Sequence, residues 1–212
     1  MPEDSCAAII LAAGSSSRLG KPKQLLVVDG ETLLRRTARL ALGAGCSPVV
    51  VVLGANAEQF QPELRGLEVV STYNTDWEEG MASSLRRGME EIGRWKEKSA
   101  NVLILVCDQV RLTLPILVNL LAKHRSSKAN ITASSYSGTK GVPAVFSQEI
   151  FTELAVVRGD EGARRIIARY PALDPALDPA LYPGHIEIVD FPGGGDDLDA
   201  IEDLGNAAMH TD

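Results

Sequence analysis

The sequence is poor in the residues on which several large classes of protein depend. Its 212 residues include three cysteines, Cys6, Cys46 and Cys107, and no two of them have the C-x-x-C spacing of a metal or redox motif. An odd number of cysteines does not make a disulfide framework, and each of these lies in or beside an apolar run, as buried thiols do. We therefore expect a reducing, cytoplasmic compartment.

Long hydrophobic runs, an excess of positive charge and clustered histidines are also absent. The apolar run over residues 6–13 is too short to cross a membrane and no basic segment precedes it, so we expect neither a signal peptide nor a membrane-spanning helix. The formal net charge is −7, whereas nucleic-acid binding relies on a basic face, so we expect no nucleic-acid partner and no membrane partner. The histidines, His124, His185 and His210, lack metal-ligand spacing and are interpreted as structural or surface residues.

What the sequence does contain is a regular alternation of apolar runs with amphipathic segments. This alternation predicts an α/β fold of three layers, with a doubly wound, mostly parallel, Rossmann-like sheet, in one domain over residues 1–212. Ligands of such sheets bind beyond the carboxyl ends of the strands, so we expect the loops after the first and fourth strands to carry the chemistry. The predicted strands are residues 7–11, 48–53, 68–70, 102–107, 130–134, 144–146 and 185–189, and the predicted helices are residues 31–42, 81–92, 114–124 and 162–170.

The loop after the first predicted strand has the composition of a phosphate-binding site. Residues 14–23, GSSSRLGKPK, combine two glycines and three serines with the cations Arg18, Lys21 and Lys23, and contain no acidic residue. Glycine lets backbone N–H groups approach a phosphate, and the cations neutralise its charge. The segment is not a Walker A loop, because Pro22 follows Lys21, and it is not a G-x-G-x-x-G turn. Composition alone supports a phosphate-binding loop and a solvated polar loop about equally.

Asp108 directly follows the fourth predicted strand. A carboxylate at that end of a strand is well placed to hold Mg²⁺, which takes one or two carboxylates together with phosphate oxygens. Taken alone, an aspartate in this place is more often a turn or helix-capping residue.

These two segments resemble motifs of the nucleotidyltransferases that load nucleotides onto molybdopterin, the MobA-like NTP transferases. The pattern L-A-A-G-x-S-x-R-x-G-x-x-K is similar to their signature loop, and Cys107-Asp108-Gln109 is similar to their C-D-Q-P motif, with Val110 in place of proline. The resemblance implies a glycosyltransferase-A-like fold of the nucleotide-diphospho-sugar transferase type. It implies that Arg18, Lys23 and Asp108 are catalytic and that Asp108 is a metal ligand. The residues that it implies for the nucleotide in this loop are Leu11, Ala12, Ala13, Gly14, Ser15, Arg18 and Lys23.

Later segments extend the resemblance to most of the chain. Residues 74–84, NTDWEEGMASS, resemble a segment that borders the nucleotide and the acceptor, and residues 141–143 and 159–164 resemble segments of the acceptor side. Residues 197–204 resemble a D-I-D-T-P-E-D-L motif and imply Asp199 as a second metal ligand. Simple helix capping explains Ser83 and Ser84 equally well, and a plain helix start explains residues 159–164. The implied nucleotide residues here are Asn74, Gly80, Ser84 and Asp108, and the implied acceptor residues are Gln109, Gly141, Pro143, Asp160 and Gly162.

The resemblance implies Mg²⁺-dependent transfer of CMP from CTP to the phosphate of molybdenum-loaded molybdopterin, with release of pyrophosphate. CTP is favoured because Ala12-Ala13-Gly14 is similar to the cytidylyl branch, whereas the guanylyl branch usually has Leu-Ala-Gly-Gly. A transient molybdoenzyme or chaperone partner is implied as well. Three alternatives stay open: a guanylyltransferase, a sugar- or polyol-phosphate nucleotidyltransferase, and a non-catalytic accessory protein that binds the cofactor for molybdoenzymes. The repeat ALDPALDPALYP at residues 172–183 belongs to no motif and is interpreted as a surface loop.

Overall fold

The computed structural model describes residues 5–15, 22–96, 98–160, 162–171 and 184–196. Two predicted site residues, Arg18 and Asp199, lie outside the described residues, as do the repeat at 172–183 and the acidic motif at 197–204. The other predicted site residues fall within the described ranges.

A seven-stranded sheet forms the middle layer of the protein. The strands of the described chain are β1 (Cys6–Ala12), β2 (Val27–Val28), β3 (Glu31–Thr32), β4 (Val49–Leu53), β5 (Val70–Tyr73), β6 (Asn101–Val106), β7 (Ile131–Tyr136), β8 (Thr139–Ser147) and β9 (Ile186–Asp190). The sheet order is β5-β4-β1-β6-β8-β7-β9, and β2 pairs with β3 separately. Within the described sheet, β8 runs antiparallel to both of its neighbours and every other pair is parallel. The prediction of a mostly parallel sheet is confirmed.

Helices cover both faces of this sheet. The helices of the described residues are α1 (Leu33–Gly43), α2 (Ala57–Phe60), α3 (Met81–Arg94), α4 (Leu114–Ser127), α5 (Phe151–Val156) and α6 (Ala163–Ile167). Successive residues of a strand point to opposite faces, so Ala8 and Ile10 pack with α1 and α4, whereas Ala7 and Ile9 pack with α3, α5 and α6. This arrangement confirms the three-layer, doubly wound fold. None of the described helices is both long and apolar enough to cross a membrane.

The short strands β2 and β3 were not predicted, and β3 takes the first two residues of the predicted helix 31–42. Within the seven-stranded sheet the structure departs most from the sequence-based expectation at two strands. The predicted strand 68–70 ends at Val70, where β5 begins. The prediction missed the rest of β5 because this edge strand carries the exposed Tyr73 and so lacks a continuous apolar run. β8 is nine residues long, but the pattern predicts only residues 144–146 of it. The pairing with β7 skips Val142 and Pro143, since Ala144 faces Ala133 and Gly141 faces Ser134. A proline is tolerated in a strand at such an irregularity.

His124 is buried between α4 and the sheet, where both of its ring nitrogens have partners. Nδ1 lies 2.9 Å from Thr132 Oγ1, and Nε2 lies 2.9 Å from Asn101 Oδ1. Burial lowers the pKa of His124 to about 4, so the imidazole is neutral near pH 7. The ring joins α4 to β6 and β7 and has a structural role.

Candidate active site

A cavity of about 400 Å³ opens at the carboxyl ends of β1 and β6. After β1 the chain continues to β4 and β5 on one side of β1, and it then crosses to β6 on the other side. The loops after β1 and β6 therefore diverge and leave a crevice, which is where doubly wound sheets bind ligands. Three segments and the pair Lys23 and Gln24 supply the wall, and the predicted nucleotide residue Ala12 is not part of it. The lining residues of the three segments are 11 and 13–15, 77, 78, 80, 81 and 84, and 106–108.

The buried side chain of Gln24 fixes the start of the loop after β1. Its Nε2 donates hydrogen bonds to the carbonyl oxygens of Ala12, at 3.2 Å, and Gly14, at 2.9 Å. The carbonyl oxygen of Ala13 accepts a further bond from the backbone N–H of Ala55, at 3.0 Å. Three successive carbonyl groups are thus turned toward the protein. Sequence reasoning missed Gln24, because a glutamine after Lys-Pro-Lys has no pattern that marks it as buried.

Lys23 and Asp108 are 85 residues apart in sequence and meet in the cavity. Lys23 Nζ donates to Asp108 Oδ2 at 3.4 Å, and the two side chains are 17% and 29% exposed. Lys23 lies in the 3₁₀ turn Lys23–Leu25, and Asp108 lies two residues beyond the end of β6. The structure therefore brings together the predicted phosphate-neutralising lysine and the predicted metal carboxylate.

Asn74 directly follows β5 and Ser84 lies in the first turn of α3, and of the two only Ser84 lines the cavity. The buried amide of Asn74 donates to Ser83 Oγ at 2.8 Å and to Ser84 Oγ at 3.0 Å. Its Oδ1 accepts a bond from the backbone N–H of Asp76 at 3.0 Å. Asn74 thus holds the two serines and the turn at Asp76 in place. It does not line the cavity itself, but it positions Ser84, which does.

The predicted acceptor residues fall into two groups, of which the first lies against the N-terminus of α3. Gly80 has φ +113°, and a Cβ at this position would collide with the carboxylate of Asp160. The carbonyl oxygen of Gly159 accepts a bond from the N–H of Ala82 at 3.2 Å. Gly162 packs against Met81, which lines the cavity. Asp160 and Gly162 are therefore neighbours of the cavity wall.

The second group, Gln109, Gly141 and Pro143, lies behind Asp108. The buried amide of Gln109 donates to the carbonyl oxygens of Val142, at 2.8 Å, and Gly194, at 2.9 Å. Pro143 accepts a hydrogen bond from Ser134, and Gly141 lies under the hydroxyl of Tyr136. None of the three lines the cavity, and in the described chain Gln109 Oε1 is buried without a hydrogen-bond partner.

Two further side chains of the cavity limit its chemistry. Burial, together with the charge of Asp108, raises the pKa of the Cys107 thiol, so this cysteine stays protonated and is a poor nucleophile. Glu78 adds a second carboxylate to the wall, which sequence reasoning missed.

Among the described residues, no group of three or more histidine, cysteine, aspartate or glutamate side chains could hold a metal ion. Asp108 is the predicted ligand that faces the cavity, and its hard oxygen suits a divalent cation that takes its other ligands from phosphate.

The sequence matches the MobA-like NTP transferase domain over residues 8–174. The chain therefore belongs to the MobA-like NTP transferase family, and the class of protein that the fold and the cavity define is a nucleotidyltransferase.

Several curated proteins are related over much of their length. Nicotine blue oxidoreductase of Paenarthrobacter nicotinovorans is 31% identical over 209 residues, which cover 92% of this chain and 93% of that protein. Purine catabolism protein PucB of Bacillus subtilis is 31% identical over 174 residues, which cover 75% of this chain and 78% of that protein. A probable molybdenum cofactor guanylyltransferase of Nostoc sp. is 31% identical over 52% of this chain and 49% of that protein.

Solved structures share the fold. A nucleotidyl transferase from Methanothermobacter thermautotroptrophicus superposes with a TM-score of 0.75 at 19% identity, covering 97% of each chain. Rv0371c of Mycobacterium tuberculosis, in complex with manganese, superposes with a TM-score of 0.70 at 22% identity, covering 98% of this chain and 100% of that one. These likenesses confirm the nucleotide-diphospho-sugar transferase type of fold.

Proposed function

We propose that this protein transfers CMP from CTP to the phosphate of molybdenum-loaded molybdopterin and releases pyrophosphate. The observation that carries the proposal is the meeting of Lys23 and Asp108 in one cavity, 3.4 Å apart, at the point where the sheet order reverses. A cation and a metal-binding carboxylate side by side are what a triphosphate and its divalent cation need. Membership of the MobA-like family supports the same chemistry.

In this proposal the nucleotide lies along the loop after β1. The backbone of residues 11–15 borders it, Arg18 and Lys23 neutralise the triphosphate and the leaving pyrophosphate, and Gly80 and Ser84 bound it on the side of α3. Gln24 and Asn74 contribute indirectly. The hydrogen bonds of Gln24 hold the loop after β1 in place, and those of Asn74 hold the first turn of α3.

Asp108, with Asp199, is proposed to hold Mg²⁺. The carboxylate of Asp108 faces the cavity and remains partly exposed, so it can exchange its contact with Lys23 for a cation. The manganese complex of a protein with the same fold supports a divalent cation. When bound, Mg²⁺ supplies positive charge that stabilises the charge developing on the phosphate oxygens.

The transfer step needs no general base from the protein. A phosphomonoester has a second pKa of about 6, so the acceptor oxygen is anionic at neutral pH. This oxygen attacks the α-phosphorus of CTP, a new P–O bond forms, and the bond to the bridging oxygen breaks to release pyrophosphate. The protein contributes position and charge, which are the main terms in phosphoryl and nucleotidyl transfer. Gln109, Gly141, Pro143, Asp160 and Gly162 are proposed to shape the acceptor side.

The name of the relative from Paenarthrobacter nicotinovorans makes an oxidoreductase the main competitor. The loop after β1 does not favour it, because this loop lacks the G-x-G-x-x-G spacing with which dinucleotide cofactors are held. We further propose that residues 1–212 act as one nucleotidyltransferase domain in the cytoplasm and that a molybdoenzyme or its chaperone receives the product.

Pyrophosphate release from CTP, GTP, ATP and UTP, with Mg²⁺ and molybdenum-loaded molybdopterin, tests the proposal. We expect release with CTP, and we expect Asp108→Asn to lower kcat/KM roughly 100- to 1,000-fold because one electrostatic contact in the transition state is lost. Asp190→Asn is the matched control, since Asp190 lies at the end of β9 and bonds only Ser135 among the contacts described for its side chain.

Each other outcome identifies a rival function. Preference for GTP contradicts the cytidylyl assignment, and release with sugar phosphates but not with molybdopterin contradicts the proposed acceptor. Binding of the cofactor without release from any nucleotide supports the accessory protein.

A further inference from the structure

A second cavity, of about 320 Å³, opens between α5 and α6, which lie with α3 on one face of the sheet. We call it the α5–α6 cleft and define it by its charged residues, Glu153, Arg158, Arg165 and Arg169, and by the aliphatic Val156. Among the described residues, the cleft and the candidate active site have no lining residue in common. None of the residues that line the cleft was predicted to bind the nucleotide, the acceptor or a metal.

Positive charge exceeds negative charge in this cleft. In the described part of the chain, Glu153 is the one carboxylate that lines it, and both of its oxygens are already bonded. Oε2 accepts a bond from Arg169, and Oε1 accepts one from the hydroxyl of Tyr170 at 2.5 Å. The exposed side chains of Arg158 and Arg165 have no hydrogen bond or ion pair with any other described residue. These two guanidinium groups face solvent in a chain whose formal net charge is −7.

One more carboxylate, Glu79, is close enough to feel the charge of Arg158, but it is bonded to a different arginine. Arg86 donates to Glu79 Oε2 at 2.5 Å, and this bond, with a smaller effect from Arg158, lowers the pKa of Glu79. Arg86 also donates to the carbonyl oxygen of Val157 at 2.7 Å, directly after α5. The end of α5 is therefore held in place by Arg86, while Arg158 stays available to a ligand.

The cleft also carries an apolar contact surface. Val156, the last residue of α5, is 65% exposed, more than any other large apolar side chain of the described chain. Protein interfaces combine apolar surface with a polar rim, and arginine is enriched in them. The cleft has this composition.

The exposure of the arginines decides between a free ion and a longer ligand. One exposed ion pair changes affinity only about 1.5- to 5-fold, and the side chain of Arg169 is 58% exposed. A free inorganic anion would therefore bind weakly here. A polypeptide segment with several carboxylates can contact all three arginines at once, and it also buries Val156.

We propose that the α5–α6 cleft binds an acidic segment of another protein, with an aliphatic or aromatic side chain of that segment packed on Val156. Carboxylates of the segment pair with Arg158 and Arg165, which have no carboxylate partner among the described residues. The inference does not depend on the transfer reaction, because the cleft lies outside the candidate active site.

Nuclear magnetic resonance detects such binding residue by residue. The probe is a ten-residue peptide in which glutamate and leucine alternate, and it is titrated into protein labelled with ¹⁵N and with ¹³C-methyl valine. We expect the Nε–H signal of Arg165 and the methyl signals of Val156 to shift. The signals of Arg125 and Val118, two exposed residues of α4 on the opposite face of the sheet, are expected to stay. A peptide in which lysine replaces glutamate is expected to shift neither set.

Two pairs of matched variants measure the contributions of charge and apolar contact. Arg165→Glu is expected to weaken the binding of the glutamate–leucine peptide roughly 2- to 25-fold, since one ion pair is lost and a like-charge contact of similar size is added. Val156→Ser is expected to weaken it roughly 3- to 20-fold, because apolar burial is lost. Arg125→Glu and Val118→Ser make the same changes on α4 and are expected to leave the affinity as in the parent protein.

Three results would overturn the inference. Equal affinity in Arg165→Glu and the parent protein removes the role of the cleft. Inorganic phosphate that shifts the signals of Arg165 and Val156 as strongly as the peptide does identifies a site for free anions. Shifts of the same signals on dilution of the protein alone identify a contact with a second copy. Pyrophosphate release is expected to be equal in Arg165→Glu and the parent protein, so a failure of the proposed transfer reaction does not change the outcome of this test.

Discussion

Replacing Gln24 by glutamate keeps the size of the side chain and removes the donor that holds the loop after β1. The two hydrogen bonds at 2.9 and 3.2 Å are lost, and a carboxylate oxygen then faces the carbonyl oxygens of Ala12 and Gly14. Each bond contributes about 1 kcal/mol net, and a buried group left facing an acceptor adds about 1–3 kcal/mol. Because Gln24 is only 5% exposed, water cannot relieve the repulsion fully. We expect the free energy of unfolding to fall by roughly 3–5 kcal/mol, which is the two bonds at about 1 kcal/mol each together with this penalty.

Urea unfolding, together with nucleotide titration, measures this effect. CTP affinity is expected to fall at least about tenfold, since the loop moves and a negative charge approaches the triphosphate. Gln24→Met removes the same donor without adding charge and should lie between the two proteins. Gln61→Glu is the matched control: its Nε2 bonds Ser71 Oγ at 3.0 Å on the exposed surface, and we expect a change within about 0.5 kcal/mol. If Gln24→Glu is as stable as Gln61→Glu, the two bonds do not fix the loop and our reasoning on this part of the site is wrong.

Two further predictions concern stability. Gly88→Ala should destabilise by about 1–3 kcal/mol, because its Cβ would lie 2.6 Å from Cγ2 of the fully buried Ile9. Gly93→Ala, in the same helix with open space around it, should stabilise by up to about 1 kcal/mol, so equal effects of the two changes in thermal unfolding would contradict the packing of α3 on β1. The pKa of His124 is about 4 in the folded protein against an ordinary value of 6.5 for an exposed histidine, so between these values the unfolded chain binds the additional proton and stability falls as the pH falls. Unfolding free energies at pH 7 and pH 5 should differ by about 2 kcal/mol from this residue, and a His124→Gln variant should lose this part of the pH dependence; an unchanged slope in the variant would show that other groups cause it.

Most of the fold could be predicted because its strands are buried on both faces. β1, β4 and β6 are continuous apolar runs, and a carboxylate that follows such a run lies at the carboxyl end of a buried strand. The sequence predicted that Asp108 follows a strand, and its position beside the loop after β1 results from the parallel pairing of β1 with β6. The resemblance to the MobA-like NTP transferases was confirmed by the family match.

The parts that could not be predicted depend on contacts between distant residues. Gln24 is recognisable only once the carbonyl groups of Ala12 and Gly14 are in place. β8 was predicted only in part, because the skipped pair Val142 and Pro143 interrupts its pattern and the strand forms by pairing on both sides. Helix α5 has six residues, which is too few for a helical period to stand out. The division of the acceptor residues into two groups likewise depends on tertiary packing.

The fate of the α-phosphorus of CTP shows whether the protein transfers CMP to the acceptor. Protein is incubated with Mg²⁺, molybdenum-loaded molybdopterin and CTP labelled at the α-phosphate, and the label is followed through chromatography of the pterin products. We expect the label to move into a cytidine dinucleotide of the acceptor, in an amount equal to the pyrophosphate released, and we expect Asp108→Asn to suppress both. Label that stays in CTP, or that appears only as free CMP, would contradict the transfer of CMP to this acceptor.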